Sequence, residues 1–337
     1  MRPDYCERVW ENPDVYRVRL PFFNLGAGES NCFVLHDEGE WLIVDTGAPS
    51  VAGRRRLVAA LCGLEVDFSR CKVFLTHLHF DHAGLLGAAI PRCVAVCMSE
   101  AGFSLRTQAG ERRAHDAFLR RMMACGASFE DACAYAAGNA EAVRLDADAG
   151  RYRFVRDGDV LRVGRRRFRV VDTAGHTIDH QALYDEENGL LFGGDHVLFD
   201  VAPSVDACPG ATDGLGLYLA NLRKMHAMPI RAAFLGHGDT VREGLAARAD
   251  AIAEKKMRRC LRVFDAVRSG PGATGEALAR AALARKDASA WRSLPPLSRY
   301  YFLLDAFVCL QHLCATGRVE RMPGAVDAAW RYVPRIT

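Results

Sequence analysis

No apolar run in the 337-residue chain approaches the roughly 18 residues that a membrane span requires, which excludes a helical membrane protein. The segment from Met1 to Trp10 carries Asp4 and Glu7 and has no apolar stretch of signal-peptide length, so the expected compartment is the cytoplasm. Twelve cysteines are present, yet no CxxC pair occurs. They lie in apolar runs such as Cys32-Phe33-Val34-Leu35 and Val308-Cys309-Leu310, and so read as small buried hydrophobes rather than as a disulfide framework. A composition of 50% apolar and 25% charged residues leaves no room for intrinsic disorder or a collagen-like repeat.

The net charge of +3 is small but unevenly spread. From Arg242 onward there are 17 Lys+Arg against 9 Asp+Glu, a balance of +8, which leaves 27 against 32, or −5, for residues 1–241. That step predicts two units, 1–241 and 242–337, the second basic enough to attract a polyanion.

Short β-branched runs dominate the first unit: Asn31 to Leu35, Trp41 to Val44, Lys72 to Leu75, Cys93 to Met98, Phe168 to Val171, Gln181 to Tyr184, Leu190 to Phe192 and Ala232 to Leu235. Each is bounded by turn residues and reads as a buried strand. Helical stretches at 53–62 and 215–222 make the class α/β. Residues 99–150 interrupt this rhythm with a helical insertion, in which Ala114, Phe118 and Met122 mark one apolar face and Ser128 with Asp131 resembles a capping box. The insertion is expected either to pack on the sheet or to form a lid or dimer surface.

Beyond residue 241 the texture is helical. Leu245, Ala249, Ile252, Cys260 and Phe264 recur at helical spacing, Gly270-Pro271-Gly272 stops that helix, Thr274 caps a short one to about Arg285, and Ser298 is expected to cap a long apolar one. Segments 318–322 and 330–333 pair as a hairpin about Pro323-Gly324, giving a winged-helix-like layout.

The chemistry is concentrated at strand ends. The run ending at Leu75 leads into Thr76-His77-Leu78-His79-Phe80-Asp81-His82, three His and one Asp in six positions, a chance pattern in roughly one chain in a thousand at this His content. Three more strands end in Gly175-His176, Gly194-Asp195-His196 and Gly236-His237-Gly238, and an earlier one in Val44-Asp45-Thr46-Gly47. Ligand-type side chains launched repeatedly from strand ends converge on one sheet edge, and adjacent glycines let the loops approach closely.

On these motifs the chain resembles the metallo-β-lactamase superfamily over residues 15–241. The resemblance implies a four-layer αββα sandwich, here with a small C-terminal winged-helix-like domain, and a dinuclear metal site. It assigns His77, His79 and His176 to one metal, Asp81, His82 and His237 to the other, and Asp195 as the bridge, with Asp45 supporting the ligand shell. His180 and His196 are expected to support the shell or meet substrate. Asp81 would also orient the nucleophile or pass its proton, making it the candidate catalytic residue. Imidazole and carboxylate ligands without a thiolate suit two zinc ions, and also manganese or iron. Many hydrolases of the superfamily read Gly-His-Thr-Pro-Gly-His, where this chain has Gly175-His176-Thr177-Ile178-Asp179-His180, so the loop beside the substrate is altered.

The expected function is hydrolysis of an ester, thioester or lactone of a small molecule by a metal-bound hydroxide, in a glyoxalase II-like or lactamase-β-like branch. The alternative is an endoribonuclease in which the basic C-terminal unit holds single-stranded RNA, although its arginines show no regular aromatic interleaving. No membrane partner is expected, and a homo-oligomer stays open.

Overall fold

Successive side chains of a strand point to opposite faces, and here both faces are apolar, so each sheet must be covered twice. The computed structural model describes residues 4–21, 28–138, 143, 145, 150–207, 212–284, 286–322 and 329–335. Met1 to Pro3, Cys208, Arg285 and the Pro323-Gly324 turn lie outside the described residues.

The first sheet has seven strands in chain order: β1 (Cys6–Trp10), β2 (Asp14–Pro21), β3 (Glu29–Asp37), β4 (Glu40–Val44), β5 (Cys71–Phe74), β6 (Ala95–Met98) and β7 (Tyr152–Phe154). The second has five, β8 (Val160–Val163), β9 (Arg166–Asp172), β10 (Gln181–Asp185), β11 (Leu190–Gly194) and β12 (Ala232–Leu235), in the order β12-β11-β10-β9-β8. Phe33 and Leu35 of β3 meet Phe192 and Phe234 of the other sheet in a shared core, whereas Cys32 and Val34 face the opposite way. That outer face is covered by α1 (Val51–Gly63), with α2 (Phe80–Ala83) and α3 (Leu86–Ala89) beside it. The insertion forms α4 (Glu100–Arg106), α5 (Gln108–Ala124) and α6 (Phe129–Gly138), while α7 (Gly214–His226) shares a core with the outer face of the second sheet and α8 (Leu245–Ser269) packs on α7. The layers are therefore helix, sheet, sheet, helix, as expected. Strands β1, β2, β7 and β8 are not among the expected runs, because charged residues such as Arg17 and Arg19 break up the apolar signal in β2.

The remaining elements are β13 (Ala273–Thr274), α9 (Gly275–Ala279), α10 (Ala288–Arg292), α11 (Pro296–Ala315), β14 (Val319–Met322) and β15 (Arg331–Pro334), with sheet order β13-β15-β14. Thr274 caps α9 through the Ala277 amide at 3.3 Å. Ser298 does not cap α11: the helix begins at Pro296 with Pro295 as its N-cap, since a proline at the first turn loses no hydrogen bond by lacking an N–H.

Helices α5 and α6 pack on this C-terminal region, while Phe103 of α4 meets Tyr152 and Phe154 of β7 at the edge of the first sheet. The Ser128 hydroxyl does accept from the Asp131 amide at 3.0 Å. Asp131 also pairs with Arg299 of α11 at 2.7 Å, Phe118 and Tyr135 meet the Tyr300 ring, and the Glu276 amide donates to the Cys125 carbonyl at 2.8 Å. The apolar face of α5 is thus used to join the insertion to α11. Because Leu310 of α11 is fully buried, Leu310→Ala is expected to lower the unfolding free energy by about 2–5 kcal/mol. Leu261→Ala on the exposed side of α8 should stay within about 0.5 kcal/mol, and urea denaturation compares the two. Of the described cysteines, Cys62 and Cys93 are exposed, departing from the buried reading, and all are free thiols. No helix among the described residues is long and apolar enough to cross a membrane.

Candidate metal centre

Five loops leave the ends of β4, β5, β9, β11 and β12 at one edge of the two sheets. After β4 the backbone turns through Asp45, whose φ of 60° lies in the left-handed region that Asp tolerates better than most residues. This points its carboxylate sideways. One oxygen accepts the Thr76 amide at 2.8 Å, and the other takes the Thr76 hydroxyl at 2.8 Å and the His82 Nδ1–H at 2.8 Å. Both oxygens are thus engaged in holding the loop after β5.

The other imidazoles are oriented in the same manner, by fixing one ring nitrogen and presenting the other. His77 Nδ1 lies 3.1 Å from the Thr76 hydroxyl, His176 Nδ1 donates to the Ser204 carbonyl at 2.9 Å, and His237 Nδ1 donates to the Glu29 carbonyl at 2.8 Å. The free nitrogens gather in two groups. His77, His79 and His176 form one triad and Asp81, His82 and His237 the other, the ligand atoms of each lying within 4.8 Å of one another. Asp195 lies between them: Oδ1 is 3.4 Å from His82 Nε2, and Oδ2 is 3.3 Å from His237 Nε2 and 3.8 Å from His176 Nε2. Such closeness demands a neighbour without a side chain, since a Cβ on Gly236 would come within 2.1 Å of Asp195 Oδ1.

His77 Nε2, His82 Nε2 and Asp195 Oδ1 are buried with no hydrogen-bond partner, and His176 Nε2 faces His79 Nδ1 at 3.1 Å. Leaving buried polar atoms unpaired is costly, and two imidazole nitrogens at that distance need a proton or a cation between them. A donor set of imidazoles and carboxylates fits a divalent ion such as zinc, iron or manganese.

The electrostatics differ between the triads. Burial, reinforced by the adjacent imidazoles, pushes His77 well below the ordinary histidine range and His79 down to about 3, so both are neutral. Burial opposes a charge on His82 and His237 as well, but the carboxylates around them prevail. Asp195 leads in raising both, taking His82 well above its usual value and His237 up to about 10. Asp195 and Asp81, despite burial, are held below the usual carboxylate range by these two histidines.

Without metal, then, the second triad is a protonated ion-pair cluster at neutral pH. A raised histidine pKa stabilises the metal-free fold fully below the unfolded value near 6.5, and that contribution fades as pH rises through the folded value. A metal bound at Asp81, His82 and His237 must expel protons, whereas one at His77 and His79 meets neutral rings. Zinc titrations between pH 6.5 and 8 are expected to show affinity at the second triad rising by about tenfold per pH unit for each proton released, with a nearly flat response at the first.

His180 and His196 sit beside these groups but belong to neither triad. His180 Nε2 accepts the Asp195 amide at 3.0 Å and its Nδ1 is 2.7 Å from the Thr173 hydroxyl, so the ring holds the Asp195 loop. His196 is buried against the Tyr218 ring, and the Tyr218 hydroxyl donates to its carbonyl at 2.7 Å. Several supporting residues escape the sequence reading. Ser30 donates to the Asp81 carbonyl at 2.8 Å, Asn31 to the Leu235 and Gly238 carbonyls at 2.9 and 2.8 Å, and buried Arg17 to the Gly238 carbonyl at 3.0 Å. Only Thr76 carries a signal, its place directly before His77.

The Metallo-beta-lactamase superfamily model matches residues 25–237. An atrochrysone carboxyl ACP thioesterase of Emericella nidulans is 24% identical over 261 residues, 77% of this chain and 68% of that protein. Another, AgnL7 of Paecilomyces divaricatus, is 32% identical over 120 residues, so the match spans 35% of this chain and only 36% of that relative's length. Among solved structures, a metallo-beta-lactamase family protein from Thermus thermophilus superposes with a TM-score of 0.73 at 24% identity, covering 95% of this chain and 98% of that one. A beta-lactamase domain protein from Burkholderia ambifaria gives 0.75 at 24% identity, covering 99% and 97%. At that identity the two structures speak for the fold alone. With the family model spanning more than half of its length, the chain belongs to the metallo-beta-lactamase superfamily.

Proposed function

We propose that this chain is a dinuclear, metal-dependent thioester hydrolase. His77, His79 and His176 would hold one divalent ion and Asp81, His82 and His237 the second, with Asp195 within reach of both and zinc the favoured metal. The observation that carries this reading is the pair of three-residue clusters on one sheet edge with an unpartnered buried Asp195 oxygen between them. Bound there, the two ions would supply the positive charge that polarises an acyl carbonyl and lowers the pKa of a water molecule.

The protein residues do the rest. Asp81, with its main-chain carbonyl held by Ser30 and its Oδ2 3.3 Å from His237 Nε2, orients the nucleophile and receives its proton. Asp45, Thr76 and Ser204 keep the imidazoles aimed while substrate exchanges. The thioester is chosen over the ester and lactone because the aligned relatives from Emericella nidulans and Paecilomyces divaricatus are named thioesterases.

The same reading divides the chain near residue 241 and treats the remainder as a winged-helix-like unit. Its element order and its β13-β15-β14 sheet support that layout. Its long helix α11 is largely buried, with Leu303, Leu304, Phe307, Leu310 and Leu313 in the apolar core, which supports a packing role for it. The test is turnover of a panel of acyl thioesters, esters and lactones by zinc-loaded protein, with labelled single-stranded RNA at two salt concentrations as comparison. Thioester hydrolysis is expected to lead by at least about tenfold. Salt-sensitive RNA cleavage without acyl hydrolysis would overturn the reading.

A further inference from the structure

Asp179 stands where many hydrolases of the superfamily carry glycine, and it is a buried carboxylate whose burial cost is offset only in part by Thr177, by the charge of Arg106 and by the Leu78 amide. Burying a carboxylate is expensive, so its position calls for a reason. What it does is specific: its Oδ2 accepts the Leu78 amide at 3.0 Å. Leu78 lies between His77 and His79, so the orientation of its peptide group sets the direction in which both imidazoles leave the chain. The same loop, 173–180, carries His176, the third member of that triad.

Asp179 has a backing. Helix α4 of the insertion approaches it through Gly102, where a Cβ would come within 2.5 Å of Asp179 Oδ2 and 2.9 Å of its Cβ. Gly102 is buried within α4 and is the point at which the insertion reaches the centre. The second triad has supports of its own: Asp45, which also holds Thr76, takes the His82 Nδ1–H, Ser30 holds the Asp81 carbonyl, and Asn31 holds the Leu235 carbonyl before His237.

We infer that Asp179 is a positioning residue for the three-histidine metal site, locking the His77-Leu78-His79 segment through the Leu78 amide, and that Gly102 is the contact by which α4 holds it in place. This rests on the proposed metal reading, and it concerns one half of the centre only. A side chain that merely satisfied a buried donor would affect overall stability without distinguishing the two sites.

The test is zinc binding measured against a competing chelator, which does not depend on any substrate. Placing the variants in a His237→Ala background isolates the three-histidine site, and a His79→Ala background isolates the other. Asp179→Ala is expected to weaken the first site by about 10–100-fold and to leave the second within about threefold. Asp179→Asn, which keeps an oxygen acceptor for the Leu78 amide, should stay within about threefold at both. Gly102→Ala, whose methyl would displace the Asp179 carboxylate without removing it, should reproduce the selective loss, which keeps the test valid if Asp179→Ala does not fold.

Equal losses at both sites, or no loss at either in a folded Asp179→Ala protein, would overturn the inference. So would a Gly102→Ala variant with unchanged affinity at the three-histidine site. Absence of zinc binding by the unsubstituted protein is a different result, because it would remove the metal reading itself.

Discussion

Asp195→Ala is expected to lower kcat/KM for thioester hydrolysis by roughly three orders of magnitude, about 4 kcal/mol of lost transition-state stabilisation. This carboxylate lies within 4 Å of histidines from both triads, so its removal uncouples the two ion sites at once. Asp195→Asn, which keeps the shape and loses the charge, should fall nearly as far, whereas a structural role alone would be largely preserved by the amide. A second readout is independent of activity. Because Asp195 is the leading influence raising His237, the imidazole of metal-free Asp195→Asn protein should titrate well below the value near 10 that the intact cluster imposes. Proton NMR of the histidine rings measures it directly.

Asp45→Ala should produce the largest loss of stability among the centre's residues. The substitution strips the acceptor from the Thr76 amide, the Thr76 hydroxyl and His82 Nδ1, all buried. At about 1–3 kcal/mol for each donor left unpaired, partly relieved by relaxation, the expected cost is about 3–5 kcal/mol in chelator-treated protein. The fold and the metal site are therefore expected to fail together, with zinc content at the Asp81, His82 and His237 triad falling alongside the urea midpoint. A variant that lost metal while keeping its full stability would show that these hydrogen bonds do not carry the loop.

Much of this arrangement is legible in the chain because it is local. His77, His79, Asp81 and His82 lie within six positions after a strand, and Asp195 and His237 each follow an apolar run and a glycine, so the end of a strand locates them. The alternating apolar faces of β3 and β11 likewise declare a doubly covered sheet. The supporting residues are a different matter. Ser30, Asn31 and Arg17 act across 51, 204 and 221 positions of sequence, and nothing in their neighbourhood marks them as partners of a loop so distant. Asp179 is visible as a departure from the usual motif, but its target, a main-chain amide, has no side-chain signature. The spacing of Phe118 and Met122 marks the insertion as helical, yet that pattern shows an apolar face without naming what it packs on. The answer, α11 and its Tyr300, lies in a separate stretch of sequence. Ser298 misleads because a serine before an apolar run has the form of a cap, while Pro295-Pro296 just upstream starts the helix earlier, with no side-chain cap.

The central claim is that hydrolysis depends on two ions held by these seven side chains. The most direct measurement titrates zinc into chelator-stripped protein while following release of thiol from an acyl thioester. The expected trace is silent without metal and rises to a plateau at two equivalents per chain, with proton uptake by the buffer recording deprotonation of His82 and His237 as the second ion binds. Full turnover in the stripped protein, or a plateau reached with no zinc retained by the His and Asp cluster, would contradict the account.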